Sequence, residues 1–179
     1  GLIAQPLNWR LSEPEMARIL KDGEPSALIG SEEYGDLTRQ LATDSQVPHT
    51  LVFTQQPDCE YEALITAHDP EEPECADSVR GDDPVLILYT GGTTGESKGA
   101  LHSHHSLYMG MLNQSIAERI VPTDVYMLTG QMFHIPVALA MNYMAHGCPV
   151  VLINFDAKLA LEVIQKERVS AFLGITTMI

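Results

Sequence analysis

Residues 85–90, VLILYT, form a continuous apolar run of strand length. A strand with apolar side chains on both faces needs helices on both sides, the environment of a parallel sheet rather than of a half-solvated one. The flanking segments agree. HTLVF (49–53), VVLIN (150–154), ALIG (27–30), VYMLT (125–129) and AFLGI (171–175) read as further short strands, and GLIAQPLN (1–8) as a buried one. Helical patterns alternate with them. Ser12 with Glu15 makes a capping box and Leu11 with Met16 a hydrophobic staple, which predicts a helix from about Glu13 to Gly23. Further helices are expected over 33–44, along a face of Leu107, Met111, Leu112, Ile116 and Ile120, and over 137–146 before Gly147. Asp156 caps a last one, with Leu159, Ala160, Val163 and Ile164 on one side and Lys166 and Arg168 near its negative end. Strands alternating with helices predict an α/β fold, a mostly parallel sheet flanked by helices.

A chain of 179 residues, 45% hydrophobic, is enough for one domain and too small for two well-filled cores. Its formal charge of −14 argues against nucleic acid as a partner, because neutralising phosphates takes a clustered basic surface and there are only ten lysines and arginines. Much of the negative charge is local. Between Pro57 and Pro84 ten carboxylates stand against Arg80 alone, so 57–84 reads as an acidic surface excursion. Cys59, Cys75 and Cys148 are an odd, widely spaced set, which suggests neither a disulfide framework nor a thiolate metal site and fits a cytoplasmic protein. The methionines are expected as core filler. The most apolar region, 132–153, is interrupted by His134, Pro136, Asn142, His146, Gly147 and Pro149, so no transmembrane segment is expected.

At the carboxyl end of VLILYT, where open α/β sheets place their ligands, stands YTGGTTGESKG (89–99), with four glycines, three threonines and one lysine. Glycines let backbone N–H groups approach an anion, threonine hydroxyls donate to phosphate oxygens, and Lys98 adds a mobile positive charge. The stretch therefore reads as phosphate binding. It is not the common nucleotide loop GxxxxGK[ST], whose spacing neither Gly91 nor Gly92 satisfies. Gly95-Glu96-Ser97-Lys98-Gly99 does match GxSxG, the serine-hydrolase elbow, but that elbow turns from strand into helix, and Ser97 is followed by an extended pattern. His102, His104 and His105 raise a metal site; in an extended segment only His102 and His104 would share a face, and no further ligand is indicated.

YTGGTTGESKGA closely resembles YTSGTTGxPKG, the phosphate-binding signature of the adenylate-forming (AMP-binding) superfamily of acyl-CoA synthetases, luciferases and peptide-synthetase adenylation domains. Other segments match that superfamily in order. PLNWRLSEPEMARIL (6–20) resembles its early PLN-x-R-L segment, LHSHHSL (101–107) its L-T-H-x-N-L continuation, QMFHIPVAL (131–139) its P-x-F-H-x-x-G segment, and AFLGITTMI (171–179) the strand ending in a P-T-M-like stretch. Departures occur as well. Gly91 stands for a serine, Ser97 for a proline, and Gln131 and Pro136 alter the surroundings of His134.

The resemblance implies a fatty acid–CoA ligase. A carboxylic acid attacks the α-phosphate of Mg2+-bound ATP, giving an acyl-adenylate and pyrophosphate, and coenzyme A then takes the acyl group. By the same resemblance Thr90, Gly91, Gly92, Thr93, Thr94, Gly95 and Lys98 hold the β- and γ-phosphates, and His134 lies near the acyl carboxylate or α-phosphate. No residue here is assigned to a resident metal. The family's Y-G-x-T-E segment, ribose-binding aspartate, hinge and C-terminal lysine have no counterpart within 1–179. The chain is therefore expected to be part of the N-terminal domain, without the C-terminal domain and inactive alone. Two other readings stay open: a free-standing, non-catalytic phosphate- or nucleotide-binding module, and a fragment whose exposed edges drive self-association.

Overall fold

The computed structural model describes residues 1–56, 59–71, 78–90, 97–176 and 178. They form two compact units, Gly1–Val79 with Tyr89–Ala100, and Arg80–Leu88 with Leu101–Ile179.

The first unit is built on a parallel βαβ. Strands β1 (Ala27–Ser31) and β2 (His49–Phe53) pair in parallel from Ala27 opposite His49 to Ser31 opposite Phe53. A 3-10 turn, Glu32–Tyr34, and helix α2 (Gly35–Asp44) connect them. Helix α1 (Glu13–Gly23) precedes them and starts as expected: Ser12 N–H and Oγ–H donate to Glu15 Oε2 at 2.8 and 2.6 Å. Its buried Met16, Ile19 and Leu20 share one face, and Met16 and Leu20 cluster with Leu41 of α2, with Leu7, Leu11 and Leu28 around them. Gly30 allows the close approach of α2 to β1, since a Cβ there would collide with the Thr38 side chain.

One expectation fails in this unit. Residues 1–8 form no strand: only Ala4 makes an isolated bridge, and Leu2 and Ile3 are exposed. Pro6 offers no N–H to a ladder, and Leu7 is used in the α1 core instead. The acidic segment includes a short helix, α3 (Glu60–Thr66), with Cys59 at its N-cap position and no side-chain cap bond. Glu60 and Glu62 sit in its first turn, where the helix dipole favours carboxylates, and Tyr61 meets Phe53 at 6.1 Å between ring centroids.

Strands β3 (Pro84–Thr90) and β4 (Lys98–Ser103) form a two-stranded sheet. A connection of seven residues is too short for the crossover that parallel strands need, so the pair is an antiparallel hairpin. Its open end continues in the same sense, with His104 N–H donating to the Asp83 carbonyl at 3.1 Å. Of β3 only Leu88 is buried, so the two-sided cover expected for VLILYT is partial.

In the second unit β5 (Tyr126–Leu128) is central and fully buried, with β6 (Val150–Leu152) and β7 (Ala171–Phe172) parallel to it on either side. Helices α4 (His104–Glu118), α5 (Ile135–Ala145) and α6 (Ala157–Glu167) join these strands into the alternating order expected. The core consists of Ile120, Tyr126, Leu128, Ala140, Tyr143 and Cys148, with the Tyr126 and Tyr143 rings stacked at 4.4 Å. Asp156 caps α6 as expected, its Oδ1 accepting from Leu159 N–H at 2.9 Å.

The inward face of α4 differs from the apolar stripe. Leu112 and Ile116 are exposed, whereas Gln114 and Ser115 turn inward beside buried Asn142 of α5. Asn142 Nδ2 donates to Met111 O and Gln114 Oε1, each at 3.0 Å, and Ser115 Oγ lies 3.2 Å from it. A buried amide must be hydrogen-bonded, and that requirement turns the polar side of α4 toward α5. The methionines divide as well: Met16 and Met127 are buried, while Met132, Met141 and Met144 are exposed. Among the described residues no helix is long and apolar enough to cross a membrane.

Candidate functional site

Thr90 is the last residue of β3 and Lys98 the first of β4, so pairing of the two strands brings them to the same end of the hairpin. Both are exposed. Gly91, Gly92, Thr93, Thr94 and Gly95, the other residues expected to bind phosphate, lie outside the described residues. Among the described residues the ion pairs are Arg39–Asp36, Lys158–Glu162 and Lys166–Glu167, none of which engages Lys98. Among the described residues no carboxylate competes for its ammonium, the condition a phosphate-binding lysine needs.

Directly before Thr90, the Tyr89 hydroxyl donates to Asp22 Oδ2 at 2.5 Å. Partial burial and the Asp22 carboxylate push the phenol up to about 12, so it stays protonated and donating. Nothing in the local sequence singles out this pair, apart from an acid in the last turn of α1.

Ser97 precedes a strand, β4, rather than a helix. The strand-to-helix turn of a serine-hydrolase elbow is absent at Ser97, which removes that reading. His102 belongs to β4 whereas His104 opens α4, so they do not share an extended face. No group of three His, Cys, Asp or Glu side chains among the described residues could hold a metal ion. Cys59 and Cys148 are free, and Cys75 lies outside the described residues.

His134 belongs to the second unit and follows the carboxyl end of β5, at the N-cap of α5. Its Nδ1 accepts the Ile135 N–H at 2.7 Å, which requires the neutral tautomer with the proton on Nε2. Pro136 adds no N–H to the first turn and packs on Gly130, whose missing Cβ makes the room. The cap thereby leaves an Nε2–H donor on a half-buried ring. A cleft of about 620 Å³ in the first unit, lined by Glu32, Tyr34, Asp36, Arg39 and Thr54 among others, includes none of the residues selected from the sequence. Its three acidic residues, Glu32, Glu33 and Asp36, suit it poorly to phosphate.

The model of the AMP-binding enzyme family matches residues 1–179, and the chain belongs to that family. It is 32% identical over 185 residues to the indoleacetate–CoA ligase of Aromatoleum aromaticum, covering 95% of this chain and 34% of that protein. It is 30% identical over 173 residues to the long-chain-fatty-acid–CoA ligase FadD13 of Mycobacterium tuberculosis, covering 94% of this chain and 33% of the relative. The crystal structure of ATP-bound MatB from Rhodopseudomonas palustris superposes with a TM-score of 0.80 at 27% identity, over 98% of this chain and 35% of MatB. The α/β architecture with parallel strands is that of the N-terminal domain of adenylate-forming enzymes, and the chain spans about a third of the length of these relatives.

Proposed function

We propose that this chain supplies the triphosphate-binding part of an ATP-dependent acid–thiol ligase, which activates a carboxylic acid as its acyl-adenylate and transfers the acyl group to coenzyme A. The observation that carries the reading is the β3–β4 hairpin. It sets Thr90 and Lys98 at either end of a Gly/Thr-rich connection that resembles the family signature. In this reading Thr90, Gly91, Gly92, Thr93, Thr94, Gly95 and Lys98 cradle the β- and γ-phosphates of Mg-ATP, and Lys98 balances the charge that builds on departing pyrophosphate. The Nε2–H of His134 donates to the acyl carboxylate or to an α-phosphate oxygen. A fatty acid is the proposed substrate, supported by the relative that acts on long-chain fatty acids, whereas the indoleacetate ligase makes an aryl acid the competing class. Residues 1–179 alone are proposed not to turn over, since they correspond to only about a third of such ligases.

The test is ATP–pyrophosphate exchange by the full-length protein carrying this chain, over a panel of fatty and aryl acids, with Lys98→Ala alongside. Acid-dependent exchange that Lys98→Ala reduces supports the reading. Exchange with no acid, or exchange indifferent to Lys98, overturns it.

A further inference from the structure

We infer that Asp22 is a positioning residue for Thr90, holding Tyr89 and through it the end of β3. The inference rests on the proposed function. It begins from a mismatch: Asp22 lies in the last turn of α1, where the unpaired carbonyls carry partial negative charge and disfavour a carboxylate. Helix formation alone does not call for an acid there. The neighbouring Lys21 is the residue that suits this end of the helix. Asp22 instead accepts the hydroxyl of Tyr89, 67 positions away in sequence.

The two ends of this contact differ in what holds them. α1 is fixed by buried Met16, Ile19 and Leu20, and Gln5 Nε2 donates to the Ile19 carbonyl at 3.3 Å, so Asp22 projects from an anchored helix. Tyr89 is next to Thr90, the final residue of a strand paired with β4 in a two-stranded sheet and little buried near its end. A short charge-assisted bond at that place narrows the positions open to Thr90 before ATP arrives. A ligand that meets a pre-arranged donor loses less ordering entropy on binding.

Steady-state kinetics of the full-length protein decide it. Tyr89→Phe and Asp22→Ala are each expected to raise KM for ATP severalfold, since the bond is made with and without ATP and only its positioning effect reaches the nucleotide, with KM for the carboxylic acid unchanged. The double variant is expected to be no worse than either single one, and Asp22→Asn, which still accepts from the phenol, to recover most of the affinity. An unchanged KM for ATP in Tyr89→Phe, strictly additive losses in the double variant, or a lowered Tm with unaltered ATP dependence would overturn the inference. Should Tyr89→Phe fail to fold, the comparison of Asp22→Asn with Asp22→Ala makes the same decision. Failure of the underlying reading shows separately: the unmodified protein then exchanges no pyrophosphate, or Lys98→Ala leaves nucleotide binding intact.

Discussion

The phenol of Tyr143 donates to Glu118 Oε2 at 2.8 Å, tying α5 to the last residue of α4. Glu118 stands at a helix end that disfavours carboxylates, and it receives Gln114 Nε2 at 3.2 Å as well. Burial, and then the Glu118 carboxylate, push the Tyr143 phenol upward. Tyr143→Phe keeps the ring stack with Tyr126 but removes the donor, and a loss of about 1–2 kcal/mol in unfolding free energy is expected from urea denaturation. A change within error would show that solvent replaces this hydrogen bond without cost.

Lys98 is exposed and engages no carboxylate among the described residues, so its removal is expected to spare the fold. For Lys98→Ala we expect a change in stability within about 0.5 kcal/mol. ATP affinity measured by calorimetry should fall about tenfold. A large loss of stability with unchanged affinity would assign Lys98 to folding instead.

His134 caps α5, and the proposed function gives it a chemical task as well; two substitutions separate the two. His134→Ala removes the cap of α5, at a cost of about 1 kcal/mol, together with the Nε2–H donor. His134→Asn restores a good N-cap but not the ring nitrogen. Thermal unfolding is expected to recover in His134→Asn, while acyl-adenylate formation stays about a hundredfold low, as for loss of one transition-state donor. Equal recovery of both would make His134 a cap alone.

Asp124 accepts the Val121 N–H at 2.9 Å and the Ser170 hydroxyl at 2.7 Å, and these bonds hold its carboxyl below the usual aspartate range. A depressed folded value means the contribution to stability is complete above the unfolded value of about 3.9 and is lost as pH falls through the lower folded one. Chemical denaturation between pH 5 and pH 2 should therefore show a shallower acid-side decline in Asp124→Asn than in the unmodified protein. Parallel declines would mean that other carboxylates set the acid limit.

Much of the fold was legible because its signals are local. The Ser12–Glu15 capping box, the Asp156 cap, the parallel β1–α2–β2 unit and the buried run at β5 all follow from spacings of a few residues, which fix periodicity and the fate of end groups. The residues that the family resemblance marks also fall at element ends. Thr90, Lys98 and His134 stand where a strand stops, a strand starts and a helix is capped.

What no window of sequence held was which distant groups would meet. GLIAQPLN carries a strand-like pattern, yet whether it forms a ladder depends on an edge that the local residues do not contain. The stripe on α4 pointed to Leu112 and Ile116, and it was the unmet donors of buried Asn142, 27 to 31 positions away, that turned Gln114 and Ser115 inward. Asp22 and Tyr89 are ordinary residues in their own segments. The sequence by itself determined most of the elements, because those depend on backbone periodicity and end groups; tertiary structure alone decided which polar groups pair across the chain, because a hydrogen bond is settled by angstroms in space.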